Sequence, residues 1–180
     1  MAIWIISAVV VIFQLWAVSS YNEFITARER IKNAMGQIAA QVQSRWDALT
    51  NLMEATKQYQ AHEADTLRDV TAQRTAVGAG SSVAEVEADD ALYSKALGSI
   101  RAVAENYPDL KASTVYLQTM SSVDQYENKV RQSRMIFNDS VTRWNRMVQQ
   151  FPGNLLAGIF GFTTQDYFEN EPAKAEMPQW

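Results

Sequence analysis

Cysteine is absent from this chain, histidine occurs once, and glycine and proline occur only seven and four times. Each scarcity removes a class of answer. Without cysteine there is neither a disulfide framework nor a lipid-modified cysteine behind an apolar segment, and either side of a membrane remains compatible with that lack. The one histidine, His62, cannot supply the two Glu-x-x-His pairs of a di-iron bundle, nor a zinc site without cysteine partners. Glu63 follows it directly, so the two side chains would leave a helix in different directions and no HExxH arrangement forms. A glycine-rich phosphate loop and a nucleophile elbow are also missing. Lys and Arg number 16 against 20 Asp and Glu, for a net charge of −4 with the signs mixed along the chain, which is no nucleic-acid footprint. No cofactor or metal is therefore expected. The one catalytic alternative left is an enzyme working with Glu, Asp and Arg alone.

Charge is missing altogether from the first stretch, MAIWIISAVVVIFQLWAV, where only Ser7 and Gln14 are polar. From Ala2 to about Ser20 a helix would extend roughly 28 Å, close to the ~30 Å hydrocarbon core of a bilayer. Trp4, Val10, Phe13 and Trp16 mark this anchor, and Trp4, Trp16 and Tyr21 fall near its ends, where amphipathic rings prefer the headgroup level. A secretory signal peptide is the competing reading, since Ala17, Ser19 and Ser20 are small. It would want a basic region ahead of the apolar core, and none is present. Arg28, Arg30 and Lys32 follow the run with no Lys or Arg before it, which favours a cytoplasmic body behind a single span. Glu23 and Glu29 interleave with them and weaken that preference.

Beyond the anchor the few helix breakers punctuate long periodic stretches, so the spacing predicts an all-α protein. From Tyr21 apolar residues recur at three- and four-residue steps: Phe24, Ile31, Met35, Ile38, Val42, Leu49, Leu52, Tyr59, Val70 and Val77. That run would measure roughly 85 Å unbroken, so a break is expected, at Gly36 or within 43–47. A loop is expected at 78–82. A second helix runs from about Val83 to Asn106, with Val86, Tyr93, Leu97, Ile100 and Ala104 on one stripe, and stops before Pro108. The last long helix, about 112–150, carries the seam Tyr116, Met120, Val123, Val130, Phe137, Val141, Trp144, Val148 and Phe151.

Two charged residues, Glu127 and Arg134, fall on that seam one heptad apart. Charge on a core-facing stripe needs partners, because unpaired burial costs several kcal/mol. Arg45, Glu63 and Arg74 on the first long stretch are the expected ones, and together the five form a candidate polar core layer that sets helix register. A functional carboxylate site is the alternative. After Phe151-Pro152 comes an apolar stretch too short to span a membrane, with Leu155, Leu156, Ile159, Phe160 and Phe162. It reads either as a cap on the open end of the bundle or as a surface for lipid or a partner. An up-down-up-down bundle would return this segment to the membrane, whereas a continuous first helix would leave three helices and an end far from it. The expected division is an anchor at 1–20, a helical bundle at 21–152, an apolar segment at 153–168 and a poorly ordered tail at 169–180.

Taken in order, these motifs resemble the LemA family. The resemblance rests on the N-terminal membrane segment, then Tyr21-Asn22, Arg45, Leu49 and Asn51-Leu52, and His62-Glu63 with Leu67, Val70, Thr71 and Arg74. It continues through the string Tyr107-Pro108-Asp109-Leu110-Lys111-Ala112, then Glu127, Arg134, Phe137-Asn138, Trp144-Asn145 and Phe151-Pro152. Thr50 stands where the family usually has proline, and rings other than tyrosine stand at Phe137 and Trp144. The resemblance implies an antiparallel four-helix bundle behind a membrane anchor in the bacterial cytoplasmic membrane, and little chemistry. With the catalytic motifs eliminated, the leading expectation is a non-catalytic, membrane-tethered scaffold or adaptor that exposes helix faces and the 155–162 segment to protein partners. The alternative is a self-assembling homo-oligomer that organises or remodels membrane.

Overall fold

The computed structural model describes residues 1–56 and 76–169, and every regular element among them is a helix. Helix α1 runs Ala2–Thr56, α2 Val83–Asn106, α3 Pro108–Lys111, α4 Thr114–Gln149 and α5 Gly153–Phe160. The chain is thus all-α, with a long apolar N-terminal helix followed by further helices. Tyr59, His62, Glu63, Leu67, Val70, Thr71 and Arg74, and the tail after Glu169, lie outside the described residues. Val77, the last position on the first seam, sits in the non-helical stretch before Gly78.

The helix ends follow from local chemistry. Ser82 caps α2 by accepting from the Glu85 backbone N–H at 3.2 Å while its own N–H donates to Glu85 Oε2 at 2.7 Å, a reciprocal capping box. Pro108, whose missing N–H costs nothing in the first turn of a helix, opens the single turn α3 and sets Leu110 into the interior. Ser113 then accepts from the Tyr116 N–H at the start of α4.

The expected break in the first helix does not occur: α1 continues for 55 residues, about 80 Å. Gly36 stays within the helix, and a Cβ there would make only ordinary contact with the Ala79 side chain, at 3.5 Å. Gln43 and Asp47 bond across one turn, Nε2 to Oδ1 at 3.0 Å, which supports the helix through the second suspected site. Thr50, lacking a proline's clash, stays helical and donates its hydroxyl to the Trp46 carbonyl.

Two compact units divide the chain: Met1–Ala27 together with the chain from Asn138 onward, and Arg28–Phe137. In the Arg28–Phe137 unit the loop before α2 lies by Gly36 and Asp89 lies by Arg45, so α2 runs in the same direction as α1. Asp90 meets Arg134 and Arg101 meets Asp124, so α4 runs opposite to α2. Its core includes Ile38, Trp46, Leu49, Leu52, Val86, Tyr93, Ile100 and Val123.

In the other unit Phe24 of α1 packs edge-on against Trp144 of α4, with ring centroids 5.6 Å apart. Phe162 packs against both rings, and Leu156, Ala157 and Phe168 are also buried in this unit. A continuous first helix was expected to leave the chain's later part far from the anchor. Residues of α5 instead share a unit with the apolar start of α1, and Phe160 lies against Tyr21. One seam residue is also corrected. Phe151 is 78% exposed, since α4 ends at Gln149 and the helical period no longer positions it.

Candidate functional site

In the Arg28–Phe137 unit the charged residues converge on Arg45, which is 2% exposed. One of its terminal nitrogens reaches Asp90 Oδ1 at 2.8 Å and Asp89 Oδ2 at 3.4 Å, and the other reaches Glu127 Oε1 at 3.4 Å. The guanidinium lies 4.0 Å from the centroid of the Tyr93 ring, where the negative π face adds to its stabilisation. Arg134 completes the layer by pairing with Asp90 Oδ2. Asp89 is fully buried, and both its oxygens also accept from the Trp46 indole N–H, at 2.9 and 3.1 Å. Trp46 stands edge-on to Tyr93 at 5.3 Å, so the ion cluster is walled by aromatic carbon.

Of the five residues assigned to a polar layer from the sequence, the structure brings Arg45, Glu127 and Arg134 together, and Glu63 and Arg74 fall outside the described residues. Asp90 bridges Arg45 and Arg134, and Asp89 adds a carboxylate shared between Arg45 and the Trp46 indole. The sequence carried a trace of this. On α2 the steps 86, 90, 93, 97, 100 alternate by four and three, and Asp90 occupies the seam position between Val86 and Tyr93.

The electrostatics follow from enclosure. Burial pushes the Glu127 carboxyl above its ordinary pKa; the Arg45 guanidinium works against that shift and Asp90 adds to it. Burial likewise pushes the Tyr93 phenol up, helped by Glu127 and opposed by Arg45. Its hydroxyl is buried with no hydrogen-bond partner among the described residues. Nor is any group of three or more His, Cys, Asp and Glu placed to hold a metal ion among those residues. The cluster's chemistry is charge pairing within the layer.

The unit containing the anchor is held by different groups. Asn145 donates Nδ2 to the Gln165 carbonyl at 2.9 Å and accepts the Gln165 N–H at 2.8 Å. One heptad earlier on α4, Asn138 does the same to the backbone of Phe168, both bonds at 3.0 Å. The Trp144 indole N–H donates to the Thr163 carbonyl at 2.7 Å. These amides give the irregular strap after α5 the backbone partners that a neighbouring strand would otherwise provide. Gly161, at φ 70°, ends α5 in the left-handed conformation. The following Phe162 N–H returns to the Ala157 carbonyl at 2.9 Å, and the Phe162 ring turns inward. It lands 4.8 Å from Phe24, while Phe160 lies 4.8 Å from Tyr21.

The candidate contact residues of the apolar segment therefore divide. Leu156 and Phe162 are buried within the protein, so they offer nothing to a lipid or partner, whereas Leu155, Ile159 and Phe160 are exposed. Along the anchor Trp4, Val10 and Phe13 are exposed, Trp16 is half-buried against the Phe13 ring at 5.4 Å, and none of the apolar stretch is enclosed by protein. By length and composition α1 can cross a membrane.

Fold and site thus define an all-α protein with a membrane-competent N-terminal helix and an internally paired charged layer. The chain belongs to the LemA family, whose model matches residues 34–180. It is similar to magnetosome protein MamQ 2 of Paramagnetospirillum magneticum, at 25% identity over 91% of this chain and 70% of that one. It resembles magnetosome protein MamQ of Magnetospirillum gryphiswaldense at 24% identity, over 85% and 66% of the two chains. Protein LemA of Metamycoplasma hominis is 27% identical over 81% of this chain and 67% of its own.

Proposed function

We propose that this protein is a non-catalytic scaffold, held in the bacterial cytoplasmic membrane by a single span within α1, whose helical body offers its outer faces to protein partners in the cytoplasm. The observation that carries this reading is the closure of the Arg45 cluster. Asp89, Asp90 and Glu127 are all engaged by Arg45, with Arg134 and Trp46 taking further oxygens, so these carboxylates serve the packing of the helices. The span is supported by the exposure of α1's apolar stretch. At ~25 cal/mol per Å² of apolar surface, water is a costly surrounding for so many large side chains and lipid is a favourable one.

The test is site-specific photo-crosslinking in cells, from Val115, Leu117 and Met135, three exposed apolar positions on α4. Discrete adducts with other proteins are expected. Adducts with this chain alone would replace the scaffold with a self-assembling protein, and no adduct at any position would overturn it. Because the chain lacks cysteine, Gly80→Cys provides a unique label site in open space. Labelling by a membrane-impermeant maleimide only after lysis is expected, and labelling of intact cells would move the body outside.

A further inference from the structure

Two long charge-free stretches occur in this sequence, and the fold places them in one unit. No charged side chain occurs before Glu23, and none occurs between Arg146 and Asp166. In the unit they share, Phe162 lies against Phe24 and Phe160 against Tyr21. Phe162 also stands 6.2 Å from Tyr21, and Phe160, the nearer of the two rings to Tyr21, is the one toward the apolar run of α1. Phe160 ends level with Tyr21, just past the last residue of that run.

Helix α5 turns its two buried residues, Leu156 and Ala157, into the protein and leaves an apolar face outside. Leu155 and Ile159 stand one turn apart on it, Ile159 is 74% exposed, Phe160 at the end of the helix is exposed, and so is Phe151, two residues before its start. Exposed apolar side chains grouped in this way on a short helix, with no charge among them, mark a surface meant to be covered. Arg143 and Arg146, both exposed on α4, precede the patch, as cations do where a polypeptide meets lipid phosphates.

We propose that α5 with Phe151 is a second membrane contact, lying in the interfacial layer of the bilayer that α1 enters. Its continuity with the spanning helix through the Tyr21–Phe160 ring contact selects lipid as the occupant. Leu155, Ile159 and Phe160 insert to the headgroup–acyl boundary, about 5–10 Å deep for an amphipathic helix of this kind. Leu156 and Phe162 hold the helix to the protein. The contact makes the protein bind its membrane at two places, one transmembrane and one interfacial. It rests on the membrane tether proposed above.

The full-length chain, carrying one cysteine at a time, is reconstituted in phosphatidylcholine–phosphatidylglycerol vesicles and labelled with the environment-sensitive fluorophore NBD. Ile159→Cys and Leu155→Cys report on α5, Val10→Cys on the anchor and Gly80→Cys on water. Both α5 sites are exposed, so labelling leaves the core intact. Blue-shifted emission at 155 and 159, quenched more by lipids with a nitroxide near the headgroup than by those with one near the chain end, is the expected result. Quenching at Val10 without quenching at 155 and 159 would overturn the interfacial contact and leave the tether standing. Loss of quenching at Val10 itself would overturn the tether and the contact with it. A blue shift at 159 without lipid quenching would show the patch covered by protein, such as a second copy, and would overturn the proposal.

Discussion

The unit Arg28–Phe137 is fastened at its centre by charge, and the unit that contains the anchor is fastened by rings and side-chain amides. In the first, Arg45 gathers three carboxylates in a space lined by Trp46 and Tyr93. In the second, no ion pair is found among the described residues, and two asparagines with one indole hold a strap of backbone across α4. The difference has a physical basis. Buried ions favour one arrangement strongly because every misalignment leaves a charge unpaired, so they specify helix register at little net gain in stability. Amide-to-backbone pairs are neutral, so they can hold a segment that has no period of its own beside a part of the molecule where charge would be expensive.

That contrast can be broken most severely at Arg45. Arg45→Met leaves Asp89 and Glu127 without their cation and is expected to cost about 3–5 kcal/mol, read as a lowered denaturation midpoint of the detergent-solubilised protein. An unchanged midpoint would mean that the apolar contacts alone set the stability of this unit. Asn145→Ala is the corresponding cut in the other unit. Removing both bonds to Gln165 should cost about 1–3 kcal/mol and should raise hydrogen exchange in 162–168 without changing exchange in α2. Equal loosening of α2 would erase the distinction between the two units.

The smallest effect belongs to Glu127. Its folded pKa is raised, so its contribution to stability is fully present below the ordinary value of 4.5 and is lost as pH rises through the folded pKa. Glu127→Gln should therefore leave the protein unchanged or slightly more stable at pH 7, by less than about 1 kcal/mol for a residue still partly exposed. The difference should vanish in acid. A clear destabilisation at pH 7 would show that the Arg45–Glu127 pair outweighs the burial.

How much of this was legible depends on whether a residue's task follows the helical period. The all-α fold, the loop at 78–82 and the stop before Pro108 are local and could be read directly. Glu127 and Arg134 stood out as charges on the apolar seam of α4, and Arg45 was expected as their partner from the first long stretch. Asp90 stood in the same kind of position on α2 and was hidden by the apolar residues on either side. Gly36 misled because a single glycine lowers helix propensity by only about 1 kcal/mol, which the rest of a long helix absorbs without a break. The strap was least legible, since its partners are side chains from another element. Even so, Phe137-Asn138 and Trp144-Asn145 repeat a ring followed by an amide at one heptad, and both asparagines became clamps.

The pairing of Phe24 with Phe162 also dictates an order of events during synthesis. Phe24 emerges from the ribosome early, with a helix long and apolar enough to cross a membrane, and its aromatic partner emerges only after α4 and α5 have been made. Segments generally fold in the order they appear, so the Arg28–Phe137 unit can close while the base of the anchor still lacks its cover. A nascent chain at that stage would expose the Phe24 ring. Arrested ribosome complexes of increasing length should therefore protect α2 first, and Phe24 only once Phe162 has left the exit tunnel.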